Sequence, residues 1–303
     1  MKIKSYAKIN LCLDVLKKSG KFHAIRTVLR QIDLYDEIII KKIPGGKIKI
    51  SYDDPAGPCG PKNTAYRAAH LLRKYAAAIK PKSARVKNPP GNRICGVEIF
   101  IKKNIPVASG LGGGSGNGAA VLRALNKLWG LNLPKMALLD LAAKIGMDTP
   151  FFIDGGTALG THYGEKITPL PDFPLPPYLI AMCGKKSGTG NVYGLLNLNK
   201  TAKKTGLTTQ LIQSLKTKKK IHPGNFFHND FETALKNKPK DKKMAGTKKL
   251  FGLLLQTGAD VVHLCGSGPA VYAFYKSIKE RDAATEKLHG KLRGNIAFIR
   301  PGP

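Results

Sequence analysis

The sequence predicts a mixed α+β protein with two domains, and three observations lead to that prediction. Apolar residues alternate in segments such as 97–101, which is typical of strands, and recur at helical spacing in segments such as 121–128. The chain has 303 residues, which is enough for one large domain or two smaller ones. The segment 169–177 is rich in proline and favours a boundary there. We therefore predict domains at 1–168 and 169–303.

The N-terminal segment is predicted to be a strand with one polar face. Lys8 and Asn10 alternate with the apolar Ile9 and Leu11, so the two polar side chains share a face of the strand. Such a face can point to solvent or line a site. The pattern alone leaves both roles open.

Two further patterns lie before residue 80. The Gly45-Gly46 pair is typical of a hairpin turn, with residues 47–52 as the returning strand. Asn63 precedes a segment of helical composition, 65–79, and is a suitable N-cap residue. Capping is the simplest role for Asn63.

A glycine-rich loop begins after Pro106 and leads into a helix, and it is the most informative stretch of the chain. Its six glycines allow positive φ angles and a close approach of a ligand to backbone N–H groups; they are Gly110, Gly112, Gly113, Gly114, Gly116 and Gly118. No Asp or Glu occurs between residues 99 and 139. Because a helix N-terminus attracts anions, the loop predicts a phosphate-binding site.

Other glycine-rich motifs fit this loop less well. A Walker A loop requires a Lys after the glycines, and none follows here. Gly114, Gly116 and Ala119 match a dinucleotide-binding pattern, but the next acidic residue is Asp140, inside another predicted helix. A flexible linker would not be expected to open an amphipathic helix.

Composition narrows the class of protein. The net charge is +32, from 51 Lys and Arg against 19 Asp and Glu, which keeps nucleic-acid or membrane binding open as an alternative. Much of the excess lies in the tracts 216–220 and 236–249, which lack aromatic residues for base stacking, so a solvated surface is favoured. A small anionic substrate would be attracted as well.

The cysteines and the apolar segments indicate a compartment. The five cysteines are scattered and form no Cys-x-x-Cys pair, which favours a reducing cytoplasm and disfavours a zinc site. No apolar run approaches the length that spans a membrane. We expect a cytoplasmic protein without a membrane partner.

Three motifs, Ala7–Asn10, Pro106–Gly118 and Gly266–Pro269, occur in an order that resembles the GHMP kinase superfamily. Within it, the chain is most similar to the family of 4-diphosphocytidyl-2-C-methyl-D-erythritol kinases. The resemblance covers nearly the whole length. Its further markers are Phe22-His23, Asp33–Glu37 and Gly146–Pro150.

The resemblance implies a fold and an activity. The fold would pair an N-terminal domain similar to domain 2 of ribosomal protein S5 with a ferredoxin-like C-terminal domain. The activity would be the transfer of a phosphoryl group from ATP, with Mg²⁺, to the 2-hydroxyl of a cytidine diphosphate conjugate of methylerythritol. The expected partner is this small molecule, not nucleic acid, and the protein would be a monomer or a homodimer.

The resemblance also implies site residues. Asp148 would be the general base and Lys8 its charge partner. Asn10, Phe22, His23 and Thr189 would contact the substrate. The ATP side would comprise Asn63, Lys103, Pro106, Val107, Ala108, Ser109, Gly110, Leu111, Gly112, Gly113, Gly114, Ser115 and Gly116. No carboxylate pair is dedicated to the metal, and Ser115 is a candidate contact for Mg²⁺.

Three positions depart from the family pattern, and two alternatives stay open. Phe22 stands where Tyr is usual, Gly116 where Ser is common, and Gly118 where Ala is common. The first alternative is a GHMP kinase that acts on homoserine, mevalonate or a sugar. The second is a basic nucleic-acid-binding protein on an inactive kinase fold.

Overall fold

The computed structural model describes residues 1–20, 22–53, 57–58, 60–78, 94–183, 192–194, 196, 201–237, 242–291 and 296–299. The chain divides into two compact units. The first comprises Met1–Ala7, Leu34–Val107 and Gly112–Asp154, and the second comprises Lys8–Asp33, Ala108–Leu111 and Gly155–Pro303. Two long strands, β1 (Lys2–Ser19) and β2 (Phe22–Ile43), contribute residues to both units. The division at residue 168 stays a prediction.

The first unit combines strands with four helices in its described residues. After β2 its elements are β3 (Ile48–Tyr52), a 3-10 turn (Gly60–Lys62), α1 (Thr64–Ala78), β4 (Gly96–Lys102), α2 (Gly113–Leu128), α3 (Lys135–Ile145) and α4 (Phe151–Asp154). Val97, Ile99 and Ile101 are fully buried along β4, which confirms the strand predicted from their alternation. The helix predicted after the glycine loop is α2.

The Gly45-Gly46 turn does not form the predicted hairpin pair. β4 runs antiparallel to β2, with Ile99 opposite Ile40, and parallel to β3, with Ile99 opposite Ile50. The sheet order is therefore β3-β4-β2, and the predicted pairing of β3 with β2 is wrong. Gly45 does adopt a left-handed turn (φ 71), but β4, which follows much later in the chain, inserts between the two strands.

Helices α1 and α2 pack against each other through small residues. Ala65, Ala68 and Ala69 are the buried side chains at the start of α1. On α2, a Cβ at Gly118 would lie 3.5 Å from Thr64 Cβ and 3.3 Å from Ile145 Cγ2 of α3. Gly118 thus lies where three helices meet, and an Ala there would require only a small shift of the Ile145 side chain.

The second unit contains a four-stranded antiparallel sheet covered by helices. Its elements are β5 (Thr157–Thr161), β6 (Lys166–Leu170), β7 (Tyr178–Cys183), α5 (Thr205–Lys216), α6 (Pro223–Phe226), β8 (His228–Asn229), α7 (Glu232–Asn237), α8 (Lys242–Leu255), β9 (Val261–Leu264), β10 (Ala270–Phe274), α9 (Ile278–Lys291) and β11 (Ile296–Ile299). The sheet order is β11-β7-β10-β9, and α8 and α9 pack against it. The order β7-α8-β9-β10-α9-β11 is ferredoxin-like, as predicted, and the α+β fold class is confirmed.

Shorter pairings extend the second unit around β1 and β2. β8 pairs parallel with β1, with Cys12 opposite His228, and β5 pairs antiparallel with β2, with Thr27 opposite Gly160. The β1 residues from Lys8 to Val15 are consequently buried, including their polar members. Burial of polar side chains on a strand requires internal hydrogen-bond partners.

Candidate functional site

Lys8 and Asn10 are joined in the second unit, as the alternation of β1 predicts. Lys8 Nζ donates a hydrogen bond to Asn10 Oδ1 at 2.7 Å, and both residues are 3% exposed. Asn10 Nδ2 donates to Thr27 Oγ1 at 2.9 Å, and Thr27 Oγ1 donates to the Cys12 carbonyl at 2.7 Å. This chain of bonds fixes which way the Asn10 amide points. The amide oxygen therefore holds the ammonium group of Lys8.

The middle of the glycine loop, Ala108–Leu111, belongs to the same unit and packs on the segment 265–270. The Ala270 N–H donates to the Ser109 carbonyl at 3.0 Å, and the Lys8 N–H donates to the Leu111 carbonyl at 2.9 Å. Gly110 has φ 91, and a Cβ there would lie 2.0 Å from the Cys265 carbonyl oxygen. Only glycine fits at this position. A Cβ at Gly266 would lie 3.4 Å from Lys8 Nζ and 3.6 Å from the Gly110 carbonyl oxygen, so the parts of the three predicted motifs that belong to this unit are neighbours.

The helix end of the loop lies in the first unit. Gly112 is the N-cap of α2, with a left-handed backbone (φ 76), and has no side chain to bond the first N–H groups of the helix. Those N–H groups and the positive end of the helix dipole suit an anion. The phosphate-binding role expected of Gly112–Gly116 stays a prediction.

Two glycines at the start of α2 are required by packing. A Cβ at Gly113 would lie 2.9 Å from Ile105 Cγ2. A Cβ at Gly116 would lie 2.8 Å from the Tyr6 carbonyl oxygen and 3.0 Å from Ser5 Oγ. The departure at Gly116 therefore has a structural cause, since the backbone of β1 occupies the space that a serine side chain would need. Gly114 has more room, with Thr64 Oγ1 at 3.5 Å from its Cβ position.

Asp36 is a buried carboxylate for which sequence reasoning assigned no role. It is fully buried and forms an ion pair with Lys103 Nζ. Its Oδ1 accepts hydrogen bonds from the N–H groups of Asn104 (2.9 Å) and Ile105 (2.8 Å), and its Oδ2 accepts one from Asn117 Nδ2 (3.0 Å). Asp36 lies within the marker 33–37, but its partners are distant in sequence.

Asn63 is the N-cap of α1. Its Oδ1 accepts from the N–H of Ala65 at 2.7 Å and of Tyr66 at 3.3 Å, and its Nδ2 donates to Tyr52 Oη and to the Pro58 carbonyl. The simplest expected role, capping, is therefore present. A contact of Asn63 with adenine stays a prediction.

Asp148 lies in the turn between α3 and α4 of the first unit, and it is half-buried. The turn is held by a hydrogen bond from the Thr149 N–H to the Gly146 carbonyl at 3.0 Å. Ser115 Oγ lies 3.9 Å from the Cβ position of Gly146, so the start of α2 and this turn are neighbours. Lys8 belongs to the other unit, and its pairing with Asp148 stays a prediction.

An aromatic stack is present on the predicted substrate side of the second unit. His23 and Tyr193 stack with ring centroids 4.9 Å apart and an interplanar angle of 10°. Tyr193 also contacts Phe231 edge-on at 4.8 Å. Tyr193 was missed because no local pattern connects it to His23. The Phe22 side chain and Thr189 lie outside the described residues.

Comparison with known proteins assigns the family. Residues 63–156 match the family described as GHMP kinases N terminal domain, and residues 225–293 match GHMP kinases C terminal. A 4-diphosphocytidyl-2-C-methyl-D-erythritol kinase of Clostridium perfringens is 35% identical over 300 residues, covering 99% of this chain and 97% of its own. The chain belongs to the GHMP kinase family. A relative of the same name from Alkaliphilus metalliredigens is 36% identical, covering 95% of this GHMP kinase and 92% of its own length.

A solved structure agrees with the fold of this GHMP kinase. The crystal structure of a 4-(cytidine 5'-diphospho)-2C-methyl-D-erythritol kinase superposes with a TM-score of 0.73 at 25% identity, and each chain is covered completely. The family and these relatives make the protein an ATP-dependent small-molecule kinase. Among the described residues, no helix is long and apolar enough to cross a membrane. In the same residues, no group of three or more His, Cys, Asp or Glu side chains is arranged to hold a metal ion.

Proposed function

We propose that this kinase phosphorylates the 2-hydroxyl of 4-diphosphocytidyl-2-C-methyl-D-erythritol, a step of non-mevalonate isoprenoid precursor biosynthesis. The observation that carries the proposal is the 35% identity to a kinase named for this substrate, over 99% of the chain. The motifs at 7–10, 106–118 and 146–150 lie in the matched length and support it.

The glycine loop would bind the ATP phosphates. The N–H groups at the start of α2 and the glycine backbone supply donors without a side-chain cap. Lys103, whose Nζ lies 3.3 Å from the Cβ position of Gly113, places an ammonium group beside the helix start and is paired there with Asp36. The segment 99–139 itself contains no acidic residue.

Asp148 and Lys8 would carry the chemical step. Phosphoryl transfer depends mainly on positioning and on charge stabilisation, with a carboxylate that accepts the proton of the attacking hydroxyl. Asp148 would be this base. Lys8, whose ammonium group is oriented by Asn10, would stabilise the charge on the transferred group.

Mg²⁺ is expected with ATP, and the described residues fit a metal held largely by the phosphates. Ser115 at the start of α2 provides a hard oxygen donor, as this ion prefers. The ion would neutralise charge on the phosphates during transfer.

The cytosine end of the substrate would bind on the His23 side of the second unit. The His23–Tyr193 stack presents flat aromatic rings, which suit a pyrimidine base. In this orientation of the substrate, Asn10, Phe22 and Thr189 would be its further contacts.

The test is an ATP-consumption assay with Mg²⁺ and four acceptors, namely the cytidine diphosphate conjugate, homoserine, mevalonate and galactose. We expect turnover with the first acceptor alone. Turnover with another acceptor would overturn the substrate and keep the kinase mechanism. Absence of turnover with all four, together with polynucleotide binding, would favour the nucleic-acid alternative.

The same assay includes two matched aspartate variants. Asp148→Asn should lower kcat by about 10²–10⁴-fold, because it removes the proton acceptor, and should still bind an ATP analogue. Asp154→Asn alters an exposed carboxylate paired with Lys135 and should retain wild-type turnover. Retained turnover in Asp148→Asn would exclude Asp148 as the base.

A further inference from the structure

Asp36 connects both ends of the glycine loop within the first unit. On the incoming side, its Oδ1 accepts from the N–H groups of Asn104 and Ile105, at the end of β4. On the outgoing side, its Oδ2 accepts from Asn117 on α2. The same oxygen pairs with Lys103 Nζ. One carboxylate therefore holds the strand end, the helix start and a lysine together.

The arrangement is suited to a fixed loop geometry. A fully buried carboxylate is stable only when its oxygens are bonded, and bonds to an ionised acceptor are stronger than neutral ones. The four donors come from both sides of the loop, and a shift of any one would leave the charge under-bonded. A Cβ at Gly113 would lie 2.9 Å from Ile105 Cγ2, so the start of α2 also packs against the residue whose N–H bonds Asp36.

We propose that Asp36 is a positioning residue for ATP, which acts by holding Lys103 and the start of α2 in the geometry that receives the phosphates. The inference rests on the proposed role of the loop as the phosphate site. It does not depend on the identity of the phosphate acceptor. Asp36 would touch neither ATP nor the acceptor.

The decisive variant is Asp36→Asn, because it changes only one side of the carboxylate. The amide oxygen of the introduced side chain can still accept from the two backbone N–H groups. Its amide nitrogen would face Lys103 Nζ, so a donor would meet a donor and the ion pair would be lost. We expect at least about tenfold weaker binding of a non-hydrolysable ATP analogue and a matching rise in the KM for ATP. The KM for the acceptor should stay unchanged.

A companion variant separates positioning from a general loss of stability. Asp14→Asn alters a different fully buried carboxylate, which accepts from Thr208 and His228 in the second unit. It should lower the unfolding midpoint without changing the affinity for the analogue.

Each outcome decides one point. If the wild type does not bind the ATP analogue, the proposed phosphate site fails, whereas equal binding by wild type and Asp36→Asn overturns the positioning role alone. An equal loss of affinity in Asp14→Asn also overturns the positioning role, because the loss would then follow from lowered stability. If Asp36→Asn does not fold, Asn117→Ala is tested in its place. It removes the hydrogen bond from Asn117 Nδ2 to Asp36, and the Asn117 Oδ1 has no hydrogen-bond partner to lose among the described residues. Unchanged analogue binding by Asn117→Ala would then overturn the proposal.

Discussion

Two glycines show how strongly the local surroundings decide the effect of one added methyl group. Gly110 has φ 91, and its Cβ position lies 2.0 Å from the Cys265 carbonyl oxygen. Gly252 lies in α8, and no atom lies within 4 Å of its Cβ position. The same substitution to alanine therefore adds a clash and backbone strain at the first site, and helix propensity at the second.

We expect Gly110→Ala to destabilise the protein by about 2–4 kcal/mol, because backbone atoms have to move apart to admit the methyl group. Gly252→Ala should stabilise it by about 0.5–1 kcal/mol. Denaturant unfolding of both variants against the wild type measures the two changes. A Gly110→Ala protein as stable as the wild type would contradict the close contact with Cys265.

At the scale of elements, β8 is anchored to β1 by a buried ion pair. His228 Nε2 bonds to Asp14 Oδ1 at 2.8 Å, and His228 Nδ1 bonds to the Phe226 carbonyl at 2.9 Å. Both ring nitrogens face acceptors, and only the charged imidazolium can donate twice. Burial by itself lowers the pKa of His228, but the hydrogen bonds to Asp14, Cys12 and Phe226 outweigh burial and raise the pKa to about 10.

This raised pKa predicts how stability depends on pH. Because the folded pKa lies above the ordinary value of 6.5, the stabilisation is complete below about pH 6.5 and is lost as the pH rises through about 10. The difference in the free energy of unfolding between wild type and His228→Gln should therefore shrink between pH 7 and 10. Unfolding curves across that range measure it, and NMR titration of His228 gives the pKa directly. A His228 that titrates near pH 6.5 would refute the ion pair.

The elements also show what the sequence could predict. Alternation in β1 was enough to place Lys8 and Asn10 together, and glycine spacing was enough to find the loop before α2, because both patterns are local. The hairpin at Gly45 was wrong because β4, a distant segment, competes for the same strand edge. Asp36 had no assigned role because Lys103 and Asn117 lie 67 and 81 positions away. Interactions over such separations leave no periodic signal in a single sequence.

For the whole molecule, the dominant feature is the net charge of +32. Lys216, Lys218, Lys219 and Lys220 are all exposed at the end of α5, as the prediction of a solvated tract requires. Their field extends beyond direct contacts and raises the local concentration of anions. ATP and a cytidine diphosphate conjugate are both anionic, so the charge favours their encounter with the protein.

We expect kcat/KM for ATP to fall as salt is raised to physiological ionic strength, where the Debye length shortens to about 8 Å. The change should appear mainly in KM, since steering acts on the encounter with ATP and not on the chemical step. Initial rates at constant free Mg²⁺ measure it, and added single-stranded DNA serves as a competitor. Rates independent of salt would remove the steering role, and strong inhibition by the DNA would favour a polynucleotide partner.

The bond from the Ala270 N–H to the Ser109 carbonyl has a consequence for protein synthesis. It joins the glycine loop to a strand that follows more than half the chain later, so this contact has high contact order and forms late in folding. During synthesis on the ribosome, the glycine loop emerges long before the segment 265–270 that supports it has been made. Nucleotide binding would then begin only after β10 has left the exit tunnel, so a bound nucleotide would report that the strand supporting the loop is in place.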